Sequence, residues 1–225
     1  MKKLFIIANW KSHKTQDEAN AWLQELRIKS HELGDKTVVV CPPFTSLPLL
    51  SEEIKKQALS IQLGAQDVSQ FDEGPFTGEI SGEQEKDFCT YVLIGHSERR
   101  KNFGETDEIV VEKVKRAIDS GLTPILCISE MSQIHNSSFL IHNSKIMIAY
   151  EPLAAIGSGE ADSPEHAEDM AKKIKETCGD MPVLYGGSVT AKNVHSFVAQ
   201  ENVDGVLVGT ASLDAKEFSA IIQHA

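Results

Sequence analysis

The stretch IMIAYEPLAAIGSG, Ile146–Gly159, sets the question that decides the fold. It opens with five apolar residues, Ile146 to Tyr150, that read as a β-strand buried on both faces. It then presents one carboxylate, Glu151, and passes directly into Pro152. Small residues follow, with glycines at Gly157 and Gly159. A carboxylate at the end of an apolar strand is costly unless something there uses it. A short apolar run that ends on a polar residue and a loop is therefore the pattern to seek elsewhere.

It recurs along the chain. Strands are expected at Leu4–Ala8, Thr37–Cys41, Ile61–Ala65, Tyr91–Ile94, Pro124–Ile128, Lys145–Tyr150, Val183–Tyr185 and Gly205–Val208. Helical periods lie between them. Thr15 and Glu18 form a capping box, and Ala19, Trp22, Leu23 and Leu26 then share one face. Leu47–Gln57 reads as a helix, and Ser81 with Gln84 opens a short one. Val110, Val111, Val114, Ala117 and Ile118 make another face, stopped by Gly121. Ser163 as N-cap with Pro164 after it starts a helix carrying Ala167, Met170, Ala171 and Ile174. Lys192–Ala199 is expected to be helical, and Phe218, Ile221 and Ile222 mark the last helix.

Unbroken alternation of strand and helix implies a parallel sheet with helices outside. Eight such units closing on themselves make an α/β fold of the (β/α)8 TIM barrel type, here compact. A doubly wound open sheet is the alternative. With no long linker or shift in composition, residues 1–225 are expected to be a single (β/α)8 barrel domain. The fifth helical unit is shortened: after Glu130 the chain reads MSQIHNSSFLIHNS, which holds one short, poorly patterned helix.

A formal net charge of −11 argues against nucleic acid or an anionic membrane as partner, since both need a basic face. It leaves room for a small anionic substrate at a local positive site. The four cysteines, Cys41, Cys89, Cys127 and Cys178, form no CxxC and read as buried thiols. The start, MKKLFIIANWK, is too short in its apolar part for a signal peptide, and no run reaches membrane-spanning length. A cytoplasmic location is expected.

In such a barrel the chemistry sits at the C-terminal ends of the strands. Those ends supply Asn9 and Lys11, Pro42 and Pro43, Gln66 and Asp67, Gly95 to Arg100, Ser129 and Glu130, Glu151, Gly186 to Ser188, and Gly209 with Thr210. Each alone has an ordinary reading: a solvated lysine, a hydrogen-bonded core histidine, a helix-start ion pair at Arg100, glycines that merely permit turns. Together they compose a reaction. Glu151 can take a proton from a carbon beside a carbonyl, and Lys11 and His96 can stabilise the enediolate oxygens. The glycine-rich ends of the seventh and eighth strands suit a phosphate. Such a site interconverts an aldose and a ketose of a small phosphorylated sugar. It needs no cofactor and no metal, and His135 and His142 lack companion ligands.

The segments ANWK (Ala8–Lys11), GAQD (Gly64–Asp67), FTGEIS (Phe76–Ser81), IGHSERR (Ile94–Arg100), AYEP with AIGSG (Ala149–Gly159), YGGSV (Tyr185–Val189) and DGVLVGTASL (Asp204–Leu213) resemble the triosephosphate isomerase family over nearly the whole chain. The resemblance implies a glycolytic isomerase acting on D-glyceraldehyde 3-phosphate and dihydroxyacetone phosphate. It makes Glu151 the base, His96 a neutral electrophile, Lys11 the cation at the carbonyl and Asn9 its polar neighbour. Ser97 and Glu98 stand behind them. Backbone N–H groups of Gly157, Ser188, Gly209 and Thr210 would hold the phosphate. Pro152–Gly159 would be a lid, with Tyr185 and Ser188 as its anchors, and Ile156 and Leu207 would keep water from the base.

It also implies a homodimer in which the long third loop, Gln66–Ser81, enters the partner and brings Thr77 to the partner's site. The shortened fifth unit resembles the compact archaeal members, which are tetramers, so a homotetramer is the alternative. The chain departs from the family at Ala154, where tryptophan is usual, at Thr210, where a second glycine is usual, and at Ser129, where glycine is usual. Two other readings remain: an isomerase of another small phosphosugar, and an inactive or moonlighting phosphate-binding barrel.

Overall fold

The computed structural model describes residues 2–26, 33–135, 145–155 and 160–225. Eight parallel strands close into a barrel in sequence order. They are β1 (Leu4–Asn9), β2 (Lys36–Cys41), β3 (Ile61–Ala65), β4 (Tyr91–Ile94), β5 (Thr123–Ile128), β6 (Met147–Tyr150), β7 (Val183–Tyr185) and β8 (Gly205–Val208). The seam between β8 and β1 pairs Phe5 with Gly205. A side chain at residue 205 would put its Cβ 2.0 Å from the Phe5 carbonyl oxygen, so closure there requires glycine.

The strands read as apolar runs because both of their faces are covered. Phe5, Ile7, Val39, Leu93, Ile125, Met147 and Leu184 fill the barrel interior. Their neighbours Ile6, Ala8, Val38, Val40, Val92, Leu126 and Ile148 face outward into a second layer. That layer is completed by the helices. These are α1 (Gln16–Leu26), α2 (Leu47–Gln57), α3 (Gly82–Glu85), α4 (Ser97–Phe103), α5 (Asp107–Asp119), α6 (Ser132–His135), α7 (Pro164–Cys178), α8 (Val194–Val198) and α9 (Ala215–His224).

The helix starts follow local chemistry. Thr15 N–H donates to Glu18 Oε2 at 2.8 Å ahead of α1. Ser81 and Gln84 close a capping box on α3. Ser163 caps α7, which buries Ala167, Ala171, Ile174 and Cys178, with Met170 only partly covered. All four cysteines are free and buried.

Three expectations shift. The helix read at Lys192–Ala199 is only Val194–Val198, because the residues before it form a turn built on the Asn193 side chain. The sixth strand begins at Met147 rather than Lys145. Two helices, not one, follow β4, since the chain breaks after Phe103 and Thr106 caps a new helix at Asp107. Between β5 and β6 the described part of the short fifth unit is α6; His142 lies outside the described residues.

Candidate active site

Glu151 follows β6 directly and is 3% exposed. Both of its oxygens are held. Oε1 lies 3.1 Å from His96 Nε2, and Oε2 accepts the Ser97 N–H at 3.2 Å. His96 reaches it because Gly95, at φ 71°, turns the chain sharply between β4 and α4. His96 is also the N-cap of α4: its Nδ1 accepts the Glu98 N–H at 3.2 Å. With Nδ1 occupied as an acceptor, the proton of the neutral ring sits on Nε2 and points at Glu151.

Two opposing influences act on that ring. Burial pushes its pKa down, the Glu151 carboxylate pulls it up, and the net direction is upward from the ordinary histidine value. A second proton would have to displace the Glu98 N–H from Nδ1. The cap bond therefore works toward the neutral imidazole that the resemblance implied, against the pull of Glu151.

Lys11 lies just beyond β1 in a left-handed conformation, φ 53°, which costs a non-glycine residue about 1–2 kcal/mol. Side chains fix it on both sides. Its N–H donates to Asn9 Oδ1 at 3.0 Å, and its carbonyl accepts from Gln66 Nε2 at 2.8 Å. Gln66 also donates to the Cys41 carbonyl at 2.9 Å, tying the ends of β1, β2 and β3 together. The Lys11 ammonium pairs with Glu98 Oε1 at 2.5 Å.

These groups open onto one cavity of about 410 Å³. Asn9, Lys11, His96, Glu151 and Leu207 line it, together with the loops Gly186–Thr190 and Gly209–Ala211. Asn9, Lys11, His96, Glu151, Ser188, Gly209 and Thr210 thus meet as read from the sequence. Glu98 and Ser97 stand behind them, Glu98 on Lys11 and Ser97 on Glu151. Leu207 is buried and lines the same cavity as Glu151. Gly157 and Ile156 lie outside the described residues. Arg100 takes its structural role: it donates to the Gly95 carbonyl at 2.8 Å and pairs with Asp107 at 2.6 Å.

The chain on either side of residues 156–159 is attached to β7 and its loop. Tyr185 Oη accepts the Asp162 N–H at 2.8 Å, and Ser188 Oγ donates to the Ala155 carbonyl at 2.8 Å. Among the described residues no three His, Cys, Asp or Glu side chains are grouped to hold a metal ion, and no helix is long and apolar enough to cross a membrane.

Sequence reasoning placed Gln66 at a strand end without a role, and it passed over Asn193. Gln66 acts on backbone atoms of two strand ends remote in sequence, and Asn193 on the turn just before it. For Asn193 a signal existed: an amide three residues after Thr190 at a helix start.

The family model described as triosephosphate isomerase matches residues 4–225. A triosephosphate isomerase of Mesomycoplasma hyopneumoniae (strain 7448) is 41% identical over 99% of this chain and 99% of its own length. One from Synechococcus sp. (strain JA-2-3B'a(2-13)) is 39% identical over 99% of this chain and 97% of its own. One from Picosynechococcus sp. (strain ATCC 27264 / PCC 7002 / PR-6) is 39% identical with both chains covered in full. The match runs through every unit of the barrel, including the strand ends that converge on Glu151, and the chain belongs to the triosephosphate isomerase family.

Proposed function

We propose that the chain interconverts D-glyceraldehyde 3-phosphate and dihydroxyacetone phosphate, with Glu151, His96 and Lys11 as the reacting groups. The observation that carries this reading is their convergence on one cavity that the loops Gly186–Thr190 and Gly209–Ala211 also line. With the phosphate on backbone N–H groups of Ser188, Gly209 and Thr210, and by resemblance Gly157, the triose carbons lie toward Glu151.

Glu151 takes the proton from the carbon beside the carbonyl. To reach it, the carboxylate exchanges its present bonds to Ser97 N–H and His96. His96 Nε2–H donates to the carbonyl oxygen as charge develops there, then recovers a proton from the neighbouring hydroxyl, so the ring ends as it began. Lys11 adds a fixed positive charge beside the same oxygens. Glu151 returns its proton to the adjacent carbon. Asn9 serves by holding the Lys11 backbone.

The protein works in the cytoplasm as a homodimer, or a homotetramer, of one-domain chains in which Gln66–Ser81 reaches a partner. Support for that loop's role is the stacked pair Phe71 and Phe76, whose rings lie 4.1 Å apart on an exposed loop. A coupled assay with each triose phosphate, run in both directions, tests the reading. Absence of turnover by the folded protein would leave a phosphate-binding barrel.

A further inference from the structure

The Asn193 side chain lies outside the cavity yet touches the loop that lines it. Its Nδ2 donates to the Ser188 carbonyl at 3.0 Å. Its Oδ1 accepts the Thr190 N–H at 2.8 Å and faces Thr190 Oγ1 at 3.3 Å. One amide thereby fixes two successive peptide planes, Ser188–Val189 and Val189–Thr190. The plane before them is fixed from within the loop: the Val189 N–H donates to the Gly187 carbonyl at 2.9 Å. In a trans peptide the C=O and the N–H point in opposite directions. With the Gly187 carbonyl turned toward Val189, the Ser188 N–H of the same peptide turns away from Val189.

The segment just after this turn is anchored as well. The Ala191 N–H donates to Glu217 Oε1 at 2.9 Å, and the Ala191 carbonyl meets His224 Nδ1 at 2.9 Å. Both partners sit on α9, the helix that follows the Gly209–Ala211 loop. The segment after the Gly186–Thr190 loop is therefore tied to the helix that follows the Gly209–Ala211 loop.

We propose that Asn193 is a positioning residue for the phosphate group, acting through the Ser188–Thr190 peptides it holds. This rests on the reading of the Ser188 rim as the phosphate site. The bond to Thr190 N–H alone would be ordinary helix capping, since the amide stands three residues after Thr190. Capping does not require the bond to the Ser188 carbonyl, which runs back past the capped residue into the loop that meets the ligand. A preorganised anion site works because its N–H groups already point at the anion before it arrives. A loop free to turn those groups must order them at each binding event.

The two bonds can be separated by mutation. Asn193→Ser keeps a short oxygen near Thr190 N–H but cannot reach the Ser188 carbonyl. Its thermal midpoint should stay close to the parent's. Its inhibition constant for inorganic phosphate, competitive with the triose phosphate, should rise about fivefold, the worth of one net hydrogen bond. KM should rise by a similar factor while kcat changes less than about twofold. Turnover of unphosphorylated D-glyceraldehyde should be unchanged, because that substrate does not use the rim. Equal losses on both substrates would mean that Asn193 only supports the fold. An unchanged phosphate constant in a folded variant would overturn the proposal directly. Parent enzyme that turns over the triose phosphate but is not inhibited by phosphate would remove the rim reading, and the proposal with it.

Discussion

The imidazole of His96 stands between two glutamates: its Nε2 lies 3.1 Å from Glu151 Oε1, and its Nδ1 takes the backbone N–H of Glu98 at 3.2 Å. The first contact sets which carboxylate the ring serves, and the second sets which nitrogen carries the proton. A ring held at both nitrogens, on a residue that caps a helix, has little rotational freedom. That restriction holds the ring where it lines the cavity.

Glu151→Gln tests the base. Glutamine keeps the shape and still offers an oxygen to the Ser97 N–H, but it cannot take a proton from carbon. A general base contributes about 10²–10⁴-fold, so kcat should fall by about that factor. Inorganic phosphate should bind as before, since the rim is untouched. Near-parental turnover would reassign the base.

Much of this is legible in the sequence alone. Strands covered on both faces announce themselves as apolar runs, so all eight stand out. Glu151 is legible as a conflict, a carboxylate where an apolar strand ends. The helix α4 is hidden because SERRKNF has no apolar period, and its cap is a histidine rather than one of the usual Ser, Thr, Asp or Asn. Gln66 and Asn193 are mute for another reason. The Gln66 bonds to the Lys11 and Cys41 carbonyls depend on which chain segments the closed barrel brings side by side, whereas the Asn193 bond to the Ser188 carbonyl is local and depends on how the turn between them folds.

The third loop carries the assembly prediction. Phe71 is 39% exposed although stacked on Phe76, and Thr77 beside them is exposed too. Apolar rings held rigidly at a loop surface suit burial against another chain. Sedimentation at micromolar protein should show a dimer or larger species. Thr77→Arg should shift it toward monomer and lower activity by at least tenfold, with the circular dichroism of the barrel retained. A fully active parental monomer would sink the idea.

Glu85 predicts how stability depends on pH. It is 1% exposed, and neither carboxyl oxygen has a hydrogen-bond partner among the described residues. Burial, and then the nearby Asp67 carboxylate, push its pKa up to about 9 against the opposing pull of Lys113. Two carboxylates, Asp67 and Glu105, already share Lys113 and Arg99, at 2.5 to 2.8 Å. Cys89, whose Sγ meets the Glu85 carbonyl at 3.4 Å, is a thiol that burial holds protonated to about 12.

The folded state therefore keeps a proton on Glu85 that the unfolded chain releases near the ordinary value of 4.5. This group's contribution is greatest below that value and is lost as pH rises toward about 9. The slope is at most about 1.4 kcal/mol per pH unit. Glu85→Gln carries no such proton. Urea melts at pH 5.5, 7 and 8.5 should show the variant gaining on the parent at each step. A gap that stays constant with pH would mean that Glu85 is ionised in the fold.

Ala154 carries the last prediction. It is exposed in the 3-10 turn Leu153–Ala155, next to Leu153, which is 68% exposed. A cavity of about 890 Å³ lies beside this turn, lined by Leu153, Ser129, Glu130, Gln133, Ser97 and Arg100. An indole at residue 154, next to Leu153 on that lining, is expected to pack there, and burying a side chain that large is worth about 1.5–3 kcal/mol. Alanine supplies no such contact, so in the lid that the resemblance implies for Pro152–Gly159 the turn after Glu151 would lack that anchor. In a reaction through an enediolate phosphate, early exposure to water favours loss of phosphate over return of the proton. The parent should therefore form more methylglyoxal and free phosphate per isomerisation than Ala154→Trp does. The ratio should fall severalfold in the variant, with its melting temperature equal or higher. An unchanged ratio in a folded variant would show that an indole at residue 154 does not govern this partition.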